Sequence, residues 1–147
     1  MNKILLSFAF LLIALSSFAQ QYGPSAQHPN VQRLIHADTI YGMPSSGALP
    51  VDLTALQYVF TMADAPFELI KVYRYGNPAG KVYALMGLKA LNSQHFSVFK
   101  ADFIRRGQGN VPFVMSGNQA VTRDAVQFIQ QWEMDYNQGL GYTKVKP

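Results

Sequence analysis

From Pro50 onward the apolar positions recur at three- and four-residue steps, the period of an α-helix buried along one side. Leu53, Leu56, Phe60 and Ala63 mark the first stripe, on a helix ending near Asp64. Pro66 restarts the pattern at a first helical position, where its missing N–H has no partner to lose, and Glu68 in that turn complements the helix dipole. Phe67, Ile70 and Tyr73 form the expected buried stripe of this second helix, and Gly76 its stop. Asn77 and Pro78 repeat the start signal as N-cap and first-turn proline. The third helix, Pro78 to Leu91, is apolar around most of its circumference, with Lys81 and Lys89 its only charges, and is therefore expected to be the central one. Gly87 within it costs ~1 kcal/mol of helix propensity relative to Ala, which predicts a neighbouring helix pressed close. Ser93 caps a fourth helix with Phe96, Phe99 and Phe103 on one stripe and Gly107 as its stop.

The period then changes. Val111 to Met115 has strand composition, Ser116 to Asn118 reads as a turn, and Gln119 to Val121 as a return strand, so a small β-hairpin is expected, with Pro112 confining its first strand to an edge. Thr122 is the expected cap of a last helix carrying Ala125, Phe128, Ile129, Trp132 and Tyr136, which ends near Gly139. Ahead of Pro50 the signals are weaker. Asn30 to Asp38 reads as a short helix with Val31, Leu34 and Ile35 on one face, Gly42 to Gly47 as a loop, and residues 20–30 as a poorly ordered lead. The fold expected is mainly α: a small helical bundle with a short β-hairpin before the last helix.

The first 19 residues follow a different logic. Lys3 supplies a positive n-region, Ile4 to Leu15 an apolar run, and Ser17-Phe18-Ala19 the small residues of a cleavage site, so a signal peptide removed before Gln20 is expected. The apolar run is too short for a membrane span, which takes ~20 residues. The chain divides into residues 1–19 as signal peptide, 20–50 as an irregular N-terminal segment, 51–139 as the helical domain and 140–147 as a tail. The expected address is outside the cytoplasm, in the periplasm or the exterior, with no transmembrane span after cleavage. The chain has no cysteine, which excludes a disulfide framework and a lipidated thiol. Some 128 residues remain, enough for one core without staples.

Charge is sparse, at 14% of residues, against about 25% in an average globular protein. After loss of Lys3, eleven Lys and Arg face eight Asp and Glu, a net charge of +3. Lys71, Arg74, Lys81, Lys89, Lys100, Arg105 and Arg106 concentrate in the middle third without the aromatic interleaving of a nucleic-acid module, so no nucleic-acid partner is expected. These lysines and arginines read chiefly as solvated helix ends and faces, and secondarily as an anion-binding patch.

The helix pairs of residues 51–107, with the small-residue-rich run Asn77 to Leu88 between them, resemble HEAT-type antiparallel helical hairpins. Their spacing of roughly 27 residues is shorter than the ~40–47 of that family. The resemblance implies binding and scaffolding rather than catalysis, and carries over no functional residue.

Candidate chemistry is thin. Gly76-Asn-Pro-Ala-Gly80-Lys81 has three residues between its glycines where a phosphate loop has four, and Val82 where that loop has Ser or Thr, leaving at most an anion site at a helix N-terminus beside Lys81. His28, His36 and His95 show no metal-ligand spacing, and no metal or other cofactor is expected. Ser116 lacks the preceding glycine of a nucleophile elbow. His95 and Asp102 share a helix face but stand two turns, ~10 Å, apart. Asp52 and Asp124 read as first-turn or capping residues. The leading expectation is a non-catalytic protein that binds an envelope protein or an anionic envelope polymer through Lys71, Arg74, Tyr75 and Lys81, together with the hairpin. The alternative is a small exported hydrolase of cell wall or another polymer, using Glu68 or Glu133 with a histidine that only the fold brings near. Tyr58, Tyr73, Tyr75 and Tyr83 suit either core or interface, since tyrosine joins an apolar body to a polar tip.

Overall fold

Each stretch of helical period becomes a helix in the computed structural model, which describes residues 28–42, 48–114, 119–140 and 147. The elements are α1 (Pro29–Ile35), β1 (Ile40–Tyr41), α2 (Val51–Phe60), α3 (Ala65–Tyr75), α4 (Pro78–Ala90), α5 (His95–Arg106), β2 (Asn110–Val114), β3 (Ala120–Asp124) and α6 (Ala125–Asn137). The expected signal peptide, the lead before His28, the loop after Gly42, the turn at Ser116 and the tail after Leu140 lie outside the described residues, apart from Pro147.

Helix α4 is the hub, buried at Ala79, Gly80 and all of Val82 to Leu88. Two glycines let its neighbours in. A Cβ on Gly87 would meet the Leu69 methyls of α3 at 2.8 and 2.9 Å and a Leu56 methyl of α2 at 3.1 Å, which is the close approach its presence predicts. A Cβ on Gly80 would collide with the backbone oxygen of Leu34 at the end of α1. Val31, Leu34 and Ile35 of α1 thus join one core with Leu53 and Leu56 of α2, Leu69 and Val72 of α3, Phe96 and Phe103 of α5, and Phe128, Ile129 and Trp132 of α6. Burial on this scale, ~1.5–3 kcal/mol per large apolar side chain, is what orders helices too short to stand alone.

Several ends differ from expectation. α2 stops at Phe60, with Ala63 and Asp64 in the exposed turn that follows. Phe67 is 65% exposed, because the core face of α3 is set by Ala65, Leu69 and Val72, and Phe67 lies across the helix from it. Thr122 sits within β3 rather than at a helix start, and Asp124 caps α6 by accepting the Gln127 N–H at 2.8 Å. His28 is not part of a loose lead: its Nδ1 accepts from the Asn30 N–H at the start of α1, and its ring stacks on Tyr58 at 4.7 Å. Ser93 stands one residue further from its helix than an N-cap, with Oγ 3.3 Å from the His95 nitrogen.

The hairpin extends to a three-stranded mixed sheet in the order β1-β2-β3. β2 pairs antiparallel with β3, Phe113 opposite Val121, and parallel with β1, Ile40 opposite Phe113. The strand carrying Pro112 is therefore central, not an edge. The proline is tolerated because β1 spans only Ile40 and Tyr41, opposite Phe113 and Val114, so no strand asks for an N–H at position 112.

Candidate functional site

Salt bridges account for most of the positive charge in the middle third. Lys89 and Lys100 converge on Glu133, at 3.4 and 2.6 Å, with their ammonium groups over the Phe96 ring. Lys71 pairs with Glu68 at 2.6 Å. Arg105 and Arg106, in the last turn of α5, reach back to Asp102 at 2.7 and 2.9 Å, and the Tyr73 hydroxyl donates to the same carboxylate at 3.0 Å. Those two arginines hold the Asp102 carboxyl down to about 2, while burial and the adjoining carboxylate push the Tyr73 phenol up. Lys81 Nζ lies 3.3 Å from the side-chain oxygen of Gln108. Arg74, exposed at the end of α3, has no hydrogen-bond or ion-pair partner among the described residues.

Arg74 also stands between two open depressions. The first, about 480 Å³, is lined by Asp64, Phe67, Ile70, Lys71, Arg74 and Tyr75. The second, about 350 Å³, is bounded by Arg74 and Lys81 on one side and by Val98, Phe99, Asp102 and Arg106 of α5 on the other, with Tyr73 beneath. Lys71, Arg74, Tyr75 and Lys81 are thus brought onto one face of α3, α4 and α5. Tyr75 is 52% exposed, like Phe67 close by. Exposed aromatics around an unpaired guanidinium can take a carboxylate, phosphate or sulfate next to an apolar group.

Sequence reasoning missed Phe67 by assigning it to the core. It also missed Val98, Phe99, Asp102 and Arg106, because nothing in their spacing tells that α5 packs across from Arg74. The hairpin belongs elsewhere: β3 borders a separate depression with Gln127, Phe128 and Gln131 of α6.

The N-terminus of α4 faces the end of α1, where the Asn77 N–H donates to the Ile35 oxygen at 3.1 Å and Gly80 lies against Leu34. Protein carbonyls thus occupy the place an anion would take. The bonded partners of Glu68 and Glu133 are lysines. Burial opposes ionisation of Glu133, but Lys100 and Lys89 outweigh it and hold the carboxyl below the usual glutamate range, the reverse of what a general acid needs. The His95 ring lies tilted against Phe99, ring centres 6.4 Å apart. Asp52 is buried and salt-bridged to Arg33 of α1 at 2.5 Å. Ser116 lies outside the described residues. Among the described residues no three His, Asp or Glu side chains gather as metal ligands, and no helix is long and apolar enough to cross a membrane. Comparison with protein-family models, curated proteins and solved structures finds no match.

Proposed function

We propose that this chain is an exported, non-catalytic binding protein of the periplasm or exterior, and that it docks an acidic envelope protein on the face of α3, α4 and α5 around Arg74. The observation that carries the reading is Arg74 itself: an exposed guanidinium without a partner among the described residues while its cationic neighbours are engaged, set between two depressions and beside exposed Phe67 and Tyr75. Arginine and aromatic residues are the side chains that most often dominate protein interfaces. The export signal read in residues 1–19 supplies the address. The HEAT-like reading of α2 with α3 and α4 with α5 agrees with it, since such hairpins act by presenting helix faces to a partner.

Arg74→Glu is a cleaner test than reversal at Lys71, which would also set a like charge beside Glu68 one turn away. The processed protein and its R74E and F67S variants are used to capture partners from an envelope extract at low and moderate salt. Each variant should retain the circular dichroism and melting behaviour of the parent yet lose affinity for the captured protein by roughly tenfold or more. Unchanged capture by both variants refutes the assignment. Retention of wall or lipid material alone, released by salt, moves the reading to an anionic polymer.

A further inference from the structure

The second candidate surface lies on the other arm of the fold, along β3. The Val114 oxygen accepts from the Gly42 N–H at 2.9 Å, so Val114 turns its backbone polar groups toward β1. Alternation along β2 then aims those of Val111 and Phe113 at β3, where their register partners Arg123 and Val121 answer them. Ala120, Thr122 and Asp124 must turn theirs outward, to a side where no strand lies among the described residues. Thr122, in the middle of this edge, has no backbone partner for its N–H or C=O among the described residues. Four of the five β3 residues are exposed, Val121 included.

An open edge alone is common and is usually guarded by charge. Here it borders a trough of about 390 Å³ between Thr122, Arg123 and Asp124 on one side and Gln127, Phe128 and Gln131 of α6 on the other. Phe128 is buried at its base against Phe113, ring centres 5.0 Å apart, and the Arg123 guanidinium lies 4.8 Å over the Phe113 ring. Arg123 has no carboxylate partner among the described residues. Asp124, the one carboxylate lining the trough, is engaged by the first turn of α6. The trough thus combines a row of main-chain donors and acceptors, an aromatic base, two amide side chains and an unanswered positive charge.

We infer that the trough between β3 and α6 takes an extended peptide segment of another protein, which adds to β3 as a fourth strand and sets an acidic side chain against Arg123. Main-chain bonds to Thr122 supply affinity, and Arg123 supplies selection among sequences. A second copy of this chain fits less well. Pairing β3 with itself about Thr122 offers Arg123 no acid and brings together two chains each of net positive charge.

The test is a titration of ¹⁵N-labelled protein with a blocked hexapeptide of alternating Val and Thr carrying one central Glu, and with its Lys counterpart. The Glu peptide should shift the Thr122 amide saturably, slow its hydrogen exchange, and bind about fivefold more tightly than the Lys peptide; in R123E that order should reverse. Methylating the peptide nitrogens that face β3 should abolish binding without touching the protein. Thr122→Pro should do the same, since it removes a donor that points away from β2. The proposal is overturned by no shift at Thr122 up to millimolar peptide, by equal binding of the two peptides, or by indifference to N-methylation. Sedimentation of the protein alone as a dimer with Thr122 already protected overturns it too, and gives the edge to a second copy.

Discussion

Tyr83 has no exposed surface, yet its hydroxyl is fully used: it accepts the Tyr41 N–H at 2.8 Å and donates to the Thr39 oxygen at 3.2 Å. Burial pushes the phenol up, beyond ionisation in ordinary buffers. Tyr83→Phe keeps the ring but strands a buried donor and acceptor at β1, so it should cost ~1–3 kcal/mol in denaturant unfolding and speed amide exchange at Tyr41. A loss under about 0.5 kcal/mol would mean water replaces the hydroxyl. The sequence leaves Tyr83 between core and interface for a physical reason. Helical period tells which way the side chain points, but the partners that make its burial tolerable stand more than forty residues upstream. Asp52 is the same case: its place in a first turn is legible, its salt bridge to Arg33 of another helix is not.

At the scale of elements, period and capping signals locate each helix among the described residues, and the structure departs from them where two local signals compete. Thr122 and Asp124 are both good caps, and the sheet decides between them by claiming Thr122 for β3. Phe67 fits a three-step apolar stripe with Ile70 and Tyr73, but Leu69 and Val72 outvote it. The glycines of α4 were separable only in the fold. Ala at Gly87 gains ~1 kcal/mol of helix propensity and presses on Leu69 and Leu56 methyls that can shift, while Ala at Gly80 presses on a backbone oxygen that cannot. Thermal or chemical unfolding should therefore show Gly80→Ala losing ~2–3 kcal/mol and Gly87→Ala less than half of that. The reverse order would show that α1 is the more yielding neighbour.

For the whole molecule, the sequence shows a surplus of positive charge but not its division into paired and unpaired groups. Lys71, Arg74 and Tyr75 share a face as their helical spacing allows, tertiary packing sets Lys81 beside them, and among the described residues it leaves Arg74 without a carboxylate. The same pairing sets the response to acid. Asp102 is held at about 2, against an ordinary value of 3.8, and Glu133 is lowered as well, so the folded chain binds fewer protons than the unfolded one in that range. The stabilisation is complete above about pH 5, clear of the ordinary values of 3.8 and 4.5, and drains away as pH falls toward 2. Melting temperature should drop across that window, and Asp102→Asn, less stable at neutral pH, should show a shallower drop. An equal slope in both proteins would place the acid response elsewhere.

The parallel pairing of β1 with β2 constrains how the chain acquires its structure. Ile40 meets Phe113 only after 72 intervening positions have been made, and four helices, α2 to α5, separate β1 from its partner strand. A chain growing from its N-terminus must carry β1 unpaired until the hairpin arrives, and closing so long a loop returns only a few hydrogen bonds. Helices α2 to α5 can pack from local contacts before then, whereas the sheet can close only once β2 has been made, tying Ile40 to the hairpin.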